Sequence, residues 1–375
     1  MRRYDIDWLR VIVFLLLIFY HVAMFFVPWE WHIKNNTLYD NLKFPMIFVS
    51  QWRLSILFII SGIGTAYAMS KRSTVQFAGE RLKKLLIPLI FGILFIVPPQ
   101  VYLERVACGD FTGSYIDFWS NIAFKGIYPT GNLSWHHLWF LPYLLFYSLV
   151  LIPIFILIKK NLQSKTFRTF NEIISSTYGV YWLIIPFIIY ETFLKPYFPS
   201  THDFIDDWYN MAKYSTLFIY GFLFIMADNT LWLSLLKNRL KHLLVGVVTF
   251  GALILITSHN TQIKEYEAIK YVISMLRVIS MWSWIMFIFG FATKYLNRPG
   301  KTLKYATEAV YPFYILHQTV TVFLGFLIMN KQWSFLNKFF LMVVGTFGIT
   351  WLLYEYILRR INFLRPLFGL KQISK

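Results

Sequence analysis

Residues 8–27, WLRVIVFLLLIFYHVAMFFV, hold only two side chains that can carry charge near neutral pH, Arg10 and His21. About 20 apolar residues in an α-helix match the thickness of the hydrocarbon core of a bilayer. The stretch therefore predicts a membrane-spanning helix. The Met1-Arg2-Arg3 before it is basic, as in a secretory signal. The apolar run is too long for a signal core and lacks a small-residue cleavage site, so the segment is expected to stay in the mature protein.

The same pattern recurs along the chain. Of its 375 residues, 57% are hydrophobic and 14% are charged, against roughly 25% charged in a soluble domain. Further spans are predicted at 46–69, 86–103, 136–158, 178–194, 212–236, 243–258, 270–293, 306–328 and 336–358, ten in all. The alternation expected of a barrel strand is absent, so the predicted fold is all-α and polytopic. No stretch between spans is long enough for a soluble domain, and residues 1–375 read as one transmembrane domain. The net charge of +18 would fit a nucleic-acid partner. However, the basic residues gather in alternate short loops, such as Lys71-Arg72, Lys159-Lys160 and Arg359-Arg360. That is the positive-inside pattern, so no nucleic acid is expected, both termini are expected in the cytoplasm, and the lipid bilayer is the surrounding partner.

Charged side chains within a span are costly and face a cavity or a partner, which makes the few present here informative. Arg10 and His21 are eleven residues apart. At about 100° and 1.5 Å per residue they leave one helical face, separated by ~16 Å along the axis. Taken singly, an Arg at a span end is an ordinary snorkelling anchor, and a His within a span is an ordinary interhelical hydrogen-bonding group. On one face they make two points of a polar track. Arg53 lies in the second span, followed by Ser61, Gly62 and Gly64; the glycines would allow close helix approach. Arg277 is central in the eighth span, and Glu308, Tyr311, Tyr314 and His317 form a drifting polar stripe in the ninth.

His136 and His137 open the fourth span ahead of Leu138 and Trp139. Adjacent residues on a helix point about 100° apart, and no other His or Cys spacing signals a metal, so no metal site is expected. The single Cys108 rules out an intramolecular disulfide. A neutral imidazole in a polar membrane cavity is a suitable general base. Arg81, Lys83 and Lys84 ahead of the third span suit a polyphosphate group, although ordinary positive-inside charge accounts for them equally well. The aromatic loops 28–45 and 104–135 suit either a sugar or lipid headgroup or an interfacial belt.

These residues resemble the motifs of the acyltransferase family 3 membrane proteins. The hallmark of that family is an Arg, ten residues and a His in the first span, here RVIVFLLLIFYH at 10–21. RLSILFIISG at 53–62, ERLKKLLIP at 80–88, HLWFL at 137–141 and AVYPFYILHQ at 309–318 follow in the family's order. The second position of the basic stretch, often Arg, is here Lys84, which lacks the planar fork. The opening RRYDIDWLRVIVFLLLIFYHVAMFFVPW is most similar to the glucan-biosynthesis branch, associated with succinylation of periplasmic glucans.

The resemblance implies a membrane O-acyltransferase of the bacterial inner membrane. It would use cytoplasmic acyl-CoA, acetyl or succinyl, as donor substrate, with no bound cofactor. Its acceptor would be a hydroxyl of an extracytoplasmic glycan or glycolipid. His21 and Arg10 would be catalytic. Arg53, Ser61, Arg81, Lys84, His137, Trp139, Tyr314 and His317 would bind substrate. A transporter or exporter of glycan or lipid-linked substrate is the competing expectation. Against it, the two halves lack corresponding Gly/Pro-broken spans.

Overall fold

The computed structural model describes residues 2–227, 229–259 and 267–373. Among the described residues there is no strand, only an isolated bridge between Ile127 and Leu133. The helices are α1 Tyr4–Met24, α2 Lys43–Met69, α3 Thr74–Cys108, the short α4 Tyr115–Asn121, α5 His136–Val150 and α6 Ile152–Lys160. They continue as α7 Lys165–Ser175, α8 Gly179–Leu194, α9 Trp208–Met226, α10 Asn229–His259, α11 Glu267–Tyr295, α12 Lys301–Ile328 and α13 Phe335–Leu358.

Seven of the described helices are long and apolar enough to cross a membrane: α1, α2, α3, α10, α11, α12 and α13. The total is nine if the bent pairs α5–α6 (48°) and α7–α8 (106°) each count as one span. The protein is thus multi-pass and all-helical. The predicted spans at 136–158 and 178–194 fall on these bent pairs. Pro153, in the first turn of α6, cannot continue the hydrogen-bond ladder of α5.

The predicted sixth span, 212–236, does not exist as one helix. The chain leaves helical geometry at Ala227 (ψ 157°) and re-enters it at Asn229; Asp228 lies outside the described residues. Asn229, of a residue type favoured at helix starts, opens the next helix. The predicted seventh span, 243–258, accordingly lies inside the much longer α10. In α3, wide π-turns at Leu82–Leu86 and Gly92–Ile96 precede the prolines Pro88 and Pro98, whose missing N–H groups cannot close ordinary turns.

The chain forms two compact units interleaved in sequence. The first comprises Met1–Arg10, Ile47–Ala78 and Phe146–Gly300; the second comprises Val11–Met46, Gly79–Leu145 and Lys301–Lys375. In the first unit, α2 and α9 cross at glycines: a Cβ on Gly62 would strike the Phe218 carbonyl, and one on Gly221 the Ile59 carbonyl. The predicted role of Gly62 is therefore met, and Phe58 stacks on Tyr214 at 4.3 Å beside the crossing. This unit also buries Glu191 of α8. That carboxylate pairs with Lys195, accepts from the Tyr209 hydroxyl and lies 3.4 Å from Arg277 Nη1.

In the second unit, Val22, Phe25, Phe26, Ile33 and Met342 share one apolar core. Two ammonium groups fix the loop after α1. Lys34 donates to the carbonyl of Met24, which the end of α1 leaves open, and to those of Val27 and Trp29 in the loop itself. Lys338 of α13, fully buried, donates to Asn35 Oδ1 (2.6 Å) and Asn36 Oδ1 (3.2 Å) of the same loop.

Candidate active site

Helix α12 supplies the frame of the site in the second unit. Its Tyr314 and His317 are one turn apart, and both are buried. His317 Nδ1 lies 2.8 Å from the Tyr314 carbonyl and 3.1 Å from that of Phe313. A carbonyl oxygen only accepts, so Nδ1 carries the hydrogen and, in a neutral ring, Nε2 carries the lone pair. His21 Nδ1 of α1 lies 2.7 Å from that Nε2, with the rings stacked at 5.0 Å and 7° between planes. His21 Nδ1 is therefore the donor, and the lone pair of the His21 ring resides on Nε2. The backbone of α12 has thus set the tautomer of a histidine on another helix.

A third histidine meets this pair. The 3₁₀ turn His136–Trp139 brings the His137 ring 5.3 Å from that of His317, edge to face. His137 Nε2 donates to the Ile315 carbonyl (3.0 Å), and the His137 carbonyl accepts from the Tyr314 hydroxyl (2.6 Å). The Tyr311 hydroxyl, a turn earlier, donates to the Lys84 carbonyl (2.9 Å), fixing α3 against α12. Beside Tyr314 and His317 lies a cavity of about 140 Å³, lined also by Tyr305 and by apolar side chains such as Phe14, Ile18, Ala309 and Phe313.

Past His317 the polar chain continues. Gln318 Nε2 lies 3.1 Å from His32 Nε2 and donates to Gln100 Oε1 (3.0 Å). His32 Nδ1 bonds Glu104, and the other oxygen of Glu104 accepts from the Tyr128 hydroxyl (3.0 Å). Burial, reinforced by the Glu104 charge, pushes the Tyr128 phenol up, so it remains a protonated donor. None of His32, Glu104, Tyr128, Gln100 and Gln318 is a predicted site residue. Their only sequence signal is a set of polar residues in otherwise aromatic loops and helix ends, which no linear spacing joins.

The predicted residues divide between the units. His21, Arg81, Lys84, His137, Trp139, Tyr314 and His317 belong to the second, and Arg10, Arg53 and Ser61 to the first. The structure joins His21, His137, Tyr314 and His317 through His317 and His137: His21 stacks on His317, and His137 meets both His317 and Tyr314. Trp139 packs edge-on to Tyr143, and Lys84, nearly half exposed, lies 3.9 Å from Glu80. In the first unit, Arg10 Nη1 is 3.7 Å from Asp7. Arg53 is buried, and the Ser61 hydroxyl donates back to the Leu57 carbonyl of its own helix (2.8 Å). Helix α1 runs unbroken through both Arg10 and His21.

Comparison with known proteins accords with this chemistry. The acyltransferase domain family matches residues 3–355. The chain is 25% identical to glucans biosynthesis protein C of Escherichia coli (strain SMS-3-5 / SECEC) over 395 aligned positions, covering all of this chain and 96% of the relative. It is 24% identical to the protein of the same name from Escherichia coli (strain K12), with the same coverage. No solved structure matches. With the family's domain covering nearly its whole length, the chain belongs to acyltransferase family 3 and is a membrane acyltransferase.

Proposed function

We propose that the protein moves an acyl group from cytoplasmic acyl-CoA to a hydroxyl of an extracytoplasmic glycan or glycolipid, in a bacterial inner membrane with both termini inside. The observation that carries this reading is the tautomer of His21. Its Nε2 is a base, and the imidazolium formed there would keep its Nδ1–H on His317 Nε2.

In the proposed reaction His21 Nε2 removes the acceptor proton as the hydroxyl oxygen attacks the thioester carbonyl carbon. Collapse of the tetrahedral intermediate breaks the C–S bond, and His21 returns the proton to the leaving thiolate. The products are the ester and free CoA. Arg10 orients the donor, and Arg81 and Lys84 hold its phosphates. Acyl transfer also needs a donor at the developing oxyanion. Tyr314 spends its hydroxyl proton on the His137 carbonyl, so it is assigned to positioning the His137 turn, and Arg53 is the oxyanion candidate. Ser61, Trp139, His137 and His317 are assigned to substrate and base positioning.

The cavity beside His317 supports a small acyl group, since about 150 Å³ of apolar space holds a benzene-sized guest. Its apolar lining opposes a charged succinyl tail. Acetyl-CoA is therefore the expected better donor.

The test is transfer from radiolabelled acetyl-CoA and succinyl-CoA to a panel of glycan acceptors in proteoliposomes. Wild type should transfer label, and His21→Ala should lose more than ~100-fold in rate. A His21→Ala rate near wild type would remove the base assignment. Folded wild type that neither transfers label nor releases CoA would remove the proposed function.

A further inference from the structure

His32, Glu104 and His136 each place one ligand-type atom within 4.8 Å of the other two. All three lie in the second unit, and Glu104 is only 8% exposed. We propose that they form a binding site for a divalent transition-metal cation of the zinc class.

The outer atoms of each candidate ligand are already held. Ser134 Oγ lies 3.1 Å from His136 Nδ1. Gln318 Nε2 lies 3.1 Å from His32 Nε2. The Tyr128 hydroxyl donates to Glu104 Oε1. What remains for the centre is His136 Nε2, His32 Nδ1 and Glu104 Oε2. Ligating side chains in metal sites are oriented in this way through their other polar atoms. The second observation concerns His136. Its Nε2 is buried and has no hydrogen-bond partner, a costly state for a polar atom unless something occupies the space beside it. The His136 backbone (φ +40°) lies in the region that non-glycine residues rarely adopt, and the ring stands 4.3 Å from that of His32.

Two histidines and one carboxylate are a three-ligand set that leaves a fourth position open. Tetrahedral zinc with bonds of about 2.1 Å holds its ligand atoms roughly 3.4 Å apart. The cation would part the His32–Glu104 hydrogen bond and draw His136 Nε2 inward. It would displace the His32 Nδ1 proton to solvent, so binding would release one proton. The nitrogen and carboxylate donors favour zinc-class ions over calcium or magnesium, which prefer oxygen alone.

The test is Co²⁺ and Zn²⁺ titration of the tag-free full-length protein in detergent, with visible absorption, calorimetry in two buffers of different ionisation enthalpy, and elemental analysis. Wild type should bind one equivalent, release a proton and give the visible bands of low-coordinate Co²⁺. His136→Gln and Glu104→Gln should lose that equivalent. His202→Gln, in the first unit, should keep it. Tyr128→Phe should weaken binding by about 10- to 100-fold, and it answers the question even if His136→Gln fails to fold. Wild type that takes up no stoichiometric metal would overturn the site and leave His32 and Glu104 a hydrogen-bonded pair. Binding that survives in both His136→Gln and Glu104→Gln would overturn it equally.

Discussion

Two of the places where the protein buries ionisable groups use them to opposite ends. Around Glu191 opposite charges are paired. One carboxylate receives Lys195, Arg277 and the Tyr209 hydroxyl, and each oxygen is used. Around His317 charge is avoided, and neutral rings hand a lone pair along a hydrogen-bond chain until it rests on His21 Nε2. Burial of a titratable side chain is therefore not itself the mark of a site. The Glu191 cluster closes on itself, as a structural ion pair does. The histidine chain starts from backbone carbonyls and sets the tautomer of His21.

Several substitutions break or sharpen this contrast. The largest expected effect, after that of His21→Ala, belongs to His317→Leu. Removing a buried acceptor forfeits about 1–3 kcal/mol, so kcat should fall roughly 10- to 100-fold with little change in KM. A loss expressed wholly in KM would place His317 in substrate binding instead.

Next comes Glu191→Gln, which leaves Lys195 and Arg277 without their carboxylate. Both cations are more than a third exposed, so the cost should be about 1–2 kcal/mol, below that of a fully buried pair. It should appear as a lower Tm in detergent at unchanged kcat. Loss of kcat at unchanged Tm would show that the first cluster is functional and dissolve the contrast.

The smallest effect is expected at Lys34. Burial lowers its pKa from 10.5 to about 8, so holding its charge in the folded state costs stability at all pH below 8. That cost is relieved as pH rises from about 8 toward 10.5, because there the unfolded chain binds more protons than the folded one. Thermal stability should therefore carry an upward component across this window in wild type, and Lys34→Met should flatten it.

The sequence exposes the parts of this arrangement that follow helical period. Arg10 and His21 stand out because ionisable groups are rare in a span, and Tyr314 and His317 because a helix repeats every 3.6 residues. The hydrogen bond between His21 and His317 joins positions 296 residues apart, and no period reports it. His32, Glu104 and His136 are harder still, since a loop, a helix end and a 3₁₀ turn supply them. The division at Ala227 is hidden for a different reason: two helices meet there without a proline or glycine, and their apolar flanks read as one span. Two partners of Glu191, Tyr209 and Arg277, come from α9 and α11, which no spacing within its own short span reports.

The ammonium of Lys338 gives the chain a timetable. The loop that carries His32 follows the first helix, but Asn35 and Asn36 of that loop bond a lysine on the last one. During vectorial synthesis the loop would emerge hundreds of residues before its latch. It would have no buried cation to close on until α13 is inserted. The region around His32 would then be the last to mature, and a nascent chain truncated before α13 would expose an unfinished loop to quality-control proteases.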